Sequence, residues 1–239
     1  MKQKNGRSIS LTIRHSMLNP KHFKASPWDE SVFNMPCYEI TEPNAQALRT
    51  SSNHSGHYTV KMDPLENKTL LHQFGFYYTD TLIEPYCKQD HFISHLHPDV
   101  SITTDCALSE LLPMCDNSFL HGRFHRDFNL PKTQADQRYK QWLGQLHAKQ
   151  QVFALYYSGQ LAGFIAYEKG NLLLHVVDTR FRGQGLAKYM WSAAIEKLFK
   201  QGEQEIRSSI SAANLAVLNL YASLGFRFDR AQDIYHKLT

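Results

Sequence analysis

The chain has little cysteine: four in 239 residues, at Cys37, Cys87, Cys106 and Cys115, with no pair at C-x-x-C spacing. That excludes a disulfide-stapled fold, and the four read as reduced thiols of a cytoplasmic protein. No apolar run is long enough to cross a bilayer, so a soluble chain without membrane insertion is expected. Neither sign of charge is in excess. Lys and Arg number 26 against 22 Asp and Glu, a net charge of +4, which is too mild to point to nucleic acid. G-x-S-x-G, H-E-x-x-H and the phosphate loop of NTPases are missing. The histidines of His91-Phe92-Ile93-Ser94-His95-Leu96-His97 have no Cys or Glu at ligand spacing, so they read as a solvated linker and no metal is expected.

What is there is concentrated in the second half. Asp105 to Phe119 and Gln134 to Gln150 have helical periodicity. Three strands follow, at Val152–Tyr157, Leu161–Tyr167 and Leu172–Val177. The turns Ser158-Gly159 and Lys169-Gly170-Asn171 make them antiparallel. A helix over Gly185–Lys200 leads to a strand at Glu205–Ile210, which should run parallel to Leu172–Val177. A helix over Asn214–Leu224 and strands at Phe226–Arg230 and Ile234–Leu238 complete the chain.

Between the third strand and its helix lies Arg182-Gly183-Gln184-Gly185-Leu186-Ala187. A strand-to-helix turn aims several backbone N–H groups at one point and so forms an anion site. The glycines let the backbone approach a phosphate, and Arg182 adds charge. Downstream, Asn214 opens a helix, Tyr221 lies two turns on, and Gly225-Phe226 ends the helix and begins a strand.

These two modules, in this order and spacing, resemble the GNAT superfamily of N-acetyltransferases. The first is similar to its Arg/Gln-x-x-Gly-x-Gly/Ala pyrophosphate loop, and the second to its Asn-x6-Tyr-x3-Gly-Phe segment. The resemblance implies an α/β GNAT fold, a mixed, splayed central sheet with flanking helices, and acetyl-CoA as co-substrate. Residues 182–187 and Asn214 would hold the cofactor, and the backbone N–H near Val176 or Val177, with Val177 counted among the cofactor contacts, would take the oxyanion. Tyr221 would be the general acid for the departing thiolate. Many members carry a Glu on the strand before the loop as base. Leu172–Val177 has no acidic side chain, and His175 stands there instead, as a base or as an ordinary structural histidine.

The acceptor side is read from Phe119-Leu120-His121-Gly122-Arg123-Phe124-His125-Arg126. Arginine forks bind diphosphate and aromatic faces stack on rings, so Arg123, Phe124 and Arg126 are candidate substrate contacts. This segment, with Trp28-Asp29-Glu30-Ser31-Val32-Phe33 and Gly75-Phe76, resembles the bacterial TDP-fucosamine N-acetyltransferases of surface-polysaccharide pathways. That likeness implies a dTDP-linked amino-dideoxy sugar as acceptor, and kinship suggests a homodimer. The alternatives are another amine (protein, polyamine or antibiotic) or a non-catalytic acyl-CoA sensor.

The first half has weaker signals. Ile9–Ile13 and His57–Met62 alternate as strands do. Asn67 to Phe76 reads as a helix, a Gly stop and a new strand, echoing Asn214 to Phe226. Residues 1–98 are therefore expected to form a smaller, partial GNAT-like domain and 99–239 the acetyltransferase domain, with Cys87 to Thr104 as the linker.

Overall fold

The computed structural model describes residues 19–239; the strand expected at 9–13 lies outside the described residues. In chain order the elements are β1 (Phe23–Ala25), α1 (Pro27–Phe33), β2 (Cys37–Ile40), α2 (Ala45–Ser52), β3 (His57–Met62), α3 (Thr69–Gln73), β4 (Tyr77–Lys88), β5 (Val100–Thr103), α4 (Leu108–Leu111), α5 (Arg123–Arg126), α6 (Lys132–Ala148), β6 (Val152–Tyr157), β7 (Gln160–Glu168), β8 (Asn171–Val177), α7 (Ala187–Lys200), β9 (Glu205–Ser208), β10 (Ile210–Ser211), α8 (Leu215–Ser223) and β11 (Arg227–Leu238). One sheet runs through them in the order β1-β2-β3-β11-β4-β9-β8-β7-β6-β5, with β10 beside β4.

The antiparallel β5 to β8 ribbon follows from its turn chemistry. Ser158 and Gly159 both take left-handed φ, 47° and 74°, as a two-residue hairpin turn requires. Strand alternation then sends Phe153, Leu155 and Ile165 under α7, and Val152, Ala154, Phe164 and Ala166 under α6. Helices therefore cover both faces of the sheet, and both faces exclude water.

The sheet opens in the middle. β8 and β9 run parallel but pair only at Asn171 with Arg207 and Leu172 with Ser208. After Ser208 the chain leaves β8, and β10 pairs with β4 instead, Ile210 opposite Ile83 and Ser211 opposite Leu82. From Leu173 to Val177 the edge of β8 that faces away from β7 has no strand partner among the described residues. This is the splay that the parallel neighbour beside an antiparallel ribbon predicts.

The halves interlock through the C-terminus. β11 lies between β3 and β4, and its Tyr235 enters the first-half core of Tyr38, Ile40, Leu48, Tyr58, Val60 and Leu71. The internal echo is real in geometry. α3 and α8 each end in a left-handed glycine, Gly75 at φ 77° and Gly225 at φ 84°, and each leads into a 12-residue strand. Phe76 N–H donates to Leu71 O at 3.0 Å just as Phe226 N–H donates to Tyr221 O at 3.1 Å. The residue at the Tyr221 position of the first half is thus Leu71, which carries no acid.

Four expectations change. The helix expected at Asp105–Phe119 is only α4 followed by a 3₁₀ turn, Leu112–Cys115, because Pro113 has no N–H to continue it. The strand expected at Glu205–Ile210 breaks after Ser208 into β9 and β10. The two final strands are one, β11, whose register shifts around Arg230 (φ 32°) and so hides the continuity. The stretch read as linker, Cys87 to Thr104, contains the edge strand β5, paired to β6 from Val100 opposite Tyr157.

Candidate active site

A cavity of about 780 Å³ occupies the splay and runs from the glycine turn to the face of β4. Gly183 and Gly185 sit at φ 76° and 71°, and an added Cβ would touch nothing within 4 Å at either. Glycine is there for backbone conformation. α7 starts at Ala187 with no side-chain cap on its first N–H groups, so those donors stay available to an anion. Arg182 closes the end of β8, donating to Val177 O and Ser118 Oγ at 2.8 Å each. Gln184 donates to Arg180 O at 2.8 Å and holds the turn from outside the cavity wall.

Asn214 caps α8, its side chain accepting from Val217 N–H at 3.3 Å, while the residue itself lines the cavity. α8 carries Tyr221, which is fully buried against Phe226. Its hydroxyl lies 3.4 Å from His175 Nε2. Burial pushes the phenol up to about 12 and His175 down to about 4. Both groups are therefore neutral at pH 7, and the imidazole can accept the phenolic proton's hydrogen bond. A histidine with so low a pKa is a weak base.

Around Phe124, three arginines have different fates. Arg138 is paired with Asp29 at 2.6 Å and lies over the Phe124 ring at 4.4 Å. Arg126 is paired with Asp80 at 2.5 Å and does not line the cavity. Arg123 does line it, 4.8 Å above the Phe124 ring. Among the described residues no carboxylate lies within ion-pair distance of its guanidinium. Burial, then the neighbouring Arg138, lowers its pKa. An unpaired guanidinium in a recess is a site for an anion. Phe124 is itself buried, stacked on Phe33 and packed against the tilted rings of His57 and His236, and acts as the floor under Arg123.

Of the site residues read from the sequence, His175, Val177, Arg182, Gly183, Gly185, Leu186, Ala187, Asn214, Arg123 and Phe124 meet at this one cavity. Tyr221 reaches it through His175. Asp80, also on its wall, was not legible: a single Asp in a strand has no motif, and its partners lie 46 and 131 residues away.

Residues 126–237 match the family of acetyltransferase (GNAT) domains. That match covers a little under half of the chain, and the splayed sheet with its glycine turn has the mixed α/β GNAT fold. Its similarity to particular proteins is narrower. It is 35% identical over 83 residues to rat N-acetylaspartate synthetase, covering 32% of this chain and 28% of that protein's length. A GCN5-related N-acetyltransferase from Sphaerobacter thermophilus superposes with a TM-score of 0.56 at 12% identity, over 77% of this chain and 60% of that one. A tandem GNAT protein from the clavulanic acid biosynthesis pathway gives 0.54 at 12% identity, over 85% and 75%. At these identities the structural likeness is one of fold, and the tandem neighbour is consistent with a GNAT-like first half.

Proposed function

We propose that this protein transfers an acetyl group from acetyl-CoA to the amine of an anionic acceptor, with a nucleotide-linked amino-dideoxy sugar as the preferred class. The observation that carries the acceptor reading is Arg123, a cationic side chain on the cavity wall with no carboxylate in ion-pair distance among the described residues. Trp142 lines the same recess and offers a ring for a base or sugar, while Tyr139 beside it is stacked on both Phe119 and His125. A second reading, an amino dicarboxylic acid, is favoured by the name of the rat relative.

Acetyl-CoA supplies an activated thioester. Gly183, Gly185, Leu186 and Ala187 receive its pyrophosphate on backbone N–H groups, with Arg182 beside them. The free edge of β8 receives the pantetheine arm, and the backbone N–H near Val177 faces the developing oxyanion. Tyr221 protonates the departing sulfur, oriented by His175. Burial raises the proton affinity of a thiolate in the same sense as that of the phenol, so the two stay matched in the closed site. The described residues of the first half, 19–98, form the partial GNAT-like unit. With Leu71 in place of the acid, that unit contributes a cavity wall instead of a second centre.

The test is acetyl-CoA-dependent release of free thiol with dTDP-4-amino-4,6-dideoxygalactose, L-aspartate, spermidine and a lysine peptide. Turnover confined to the anionic small amines supports the reading. Turnover confined to spermidine or the peptide overturns the role given to Arg123.

A further inference from the structure

The acceptor wall contains a carboxylate that the reaction so far leaves unused. Asp80 is fully buried, yet it belongs to the cavity lining. It sits on β4 with Leu82 and Glu84, the alternate residues of one strand face that form this wall. Its two oxygens are treated unequally. Oδ1 takes two side-chain donors, Arg126 Nη1 at 2.5 Å and Ser211 Oγ at 2.7 Å. Oδ2 is buried with no hydrogen-bond partner among the described residues. A buried carboxylate oxygen without a donor is costly, and native structures seldom leave one so. Arg123, on the same short helix as Arg126, is in the same condition with the opposite sign, since it lacks an anion.

Position along the chain adds to this. Ser211 belongs to β10, which continues from Ser208 across the splay. Ser208 Oγ donates to Leu172 O, beside the β8 segment that carries His175. One short segment therefore spans from the Tyr221–His175 side of the cavity to Asp80. The position expected to hold a base on β8 has no acid, and His175 is a weak one.

We propose that Asp80 is the group that receives the acceptor's amine, binding it as an ammonium through Oδ2 and then taking one of its protons. This rests on the acetyltransferase reading above. The freed amine uses its lone pair to form the C–N bond to the acetyl carbon, and the C–S bond breaks with its electron pair left on sulfur. Tyr221 gives its phenolic proton to that sulfur, and the surplus proton on the new amide nitrogen restores the phenol. Asp80 releases its proton to solvent as product leaves, so the net products are the amide, the free thiol and one proton.

The titration of Asp80 is set by the groups around it. Burial raises its pKa. The Ser211 hydroxyl, the Arg126 guanidinium, the Thr81 N–H and the more distant Arg123 pull it back down. Tyr139 on α6 feels its charge, and its register partner on β11 is the uncharged Ile234. Activity should therefore have an acidic limb that falls as Asp80 protonates.

The experiment measures thiol release against pH with dTDP-4-amino-4,6-dideoxygalactose and with L-aspartate, for the wild type, Asp80→Asn and Ser211→Ala, alongside calorimetric binding of acetyl-CoA. Asp80→Asn should lower kcat at least about 100-fold, flatten the acidic limb and leave acetyl-CoA affinity within about twofold. Ser211→Ala keeps the carboxylate but removes a donor, so its acidic limb should move to higher pH. Asp80→Asn with near wild-type turnover and an unchanged limb overturns the proposal and leaves the acetyltransferase reading standing. If Asp80→Asn does not fold, an unmoved limb in Ser211→Ala overturns it. A wild type that binds acetyl-CoA but acetylates neither amine overturns the acceptor reading, and this proposal with it.

Discussion

Tyr221 Oη lies 3.4 Å from His175 Nε2, across the opening where β8 parts from β9. The phenol comes from α8 and the imidazole from the free edge of β8. Both groups are buried in the directions that keep them uncharged, the phenol raised to about 12 and the imidazole lowered to about 4. Tyr221→Phe removes only the hydroxyl and keeps the ring against Phe226. It should lower kcat by about 100-fold or more while acetyl-CoA affinity stays nearly unchanged. Steady-state thiol release with calorimetric binding checks this; equal loss of turnover and of binding would make Tyr221 a packing residue only.

Arg123 and Arg126 are three residues apart on one turn, yet they should answer differently to substitution. Arg123 meets the cavity without an anion of its own, so Arg123→Met should raise the KM of an anionic acceptor by about 10- to 100-fold, the worth of a hydrogen bond to a charged group. The acetyl-CoA KM should hardly move. Arg126 neutralises Asp80, so Arg126→Met should show first as lost thermal stability and an altered pH profile. A larger effect on the acceptor KM from Arg126 than from Arg123 would reverse this assignment.

Much of this site was legible because its signals are local. The glycine turn between β8 and α7, the Asn214 cap, and the helix–Gly–Phe boundary that places Tyr221 each depend on a few consecutive residues. What was not legible depends on distance. Asp80 meets Ser211 only because β10 leaves β9 for β4, and no periodicity reports a change of strand partner. The insertion of β11 between β3 and β4 is likewise set by pairing across the whole chain, and its register shift at Arg230 made one strand look like two. Pro113 was local and visible, but apolar spacing on both sides of it outweighed it in the reading of a continuous helix.

Two glycines near the site should fail in opposite ways. At Gly185 an added Cβ has room, and the cost is the left-handed φ of 71° alone, about 1–2 kcal/mol. Gly185→Ala should lower Tm modestly and weaken acetyl-CoA binding more than it weakens the fold. At Gly163, opposite Val177 in the β7–β8 pair, a Cβ would stand within 2.2 Å of Val176 O. That carbonyl is backbone and cannot swing aside, so Gly163→Ala must displace β8 itself. It should cost more stability than Gly185→Ala and abolish acetyl-CoA binding. Thermal melts with and without acetyl-CoA distinguish the two, and equal shifts would sink the distinction.

The C-terminal strand is pinned by a buried polar knot. Asp127 accepts from Tyr77 Oη at 3.1 Å and Asn129 N–H at 2.9 Å, and it pairs with His236 Nδ1 at 2.8 Å. Burial opposes its ionisation, but the hydrogen bonds from His236 and His57 outweigh burial and hold the carboxyl well below the usual range. Burial lowers His236 to about 3. Both folded pKa values are depressed, so both groups give stability above their unfolded values, about 6.5 for His and 3.9 for Asp. That of His236 is lost as pH falls from about 6.5 towards about 3, and that of Asp127 only below about 4. Asp127→Ala at pH 7 leaves two histidines and a tyrosine hydroxyl facing an empty pocket and should cost about 3 kcal/mol. Urea unfolding at pH 7, 5 and 4 should show the wild type losing stability across this window. The variant, without the carboxylate that favours a protonated His236, should start lower at pH 7. A pH-independent wild type would mean that the knot is not coupled to folding. A neutral Asp127→Ala would mean that water satisfies those donors, and β11 would then be held by its strand pairing and by Tyr235 alone.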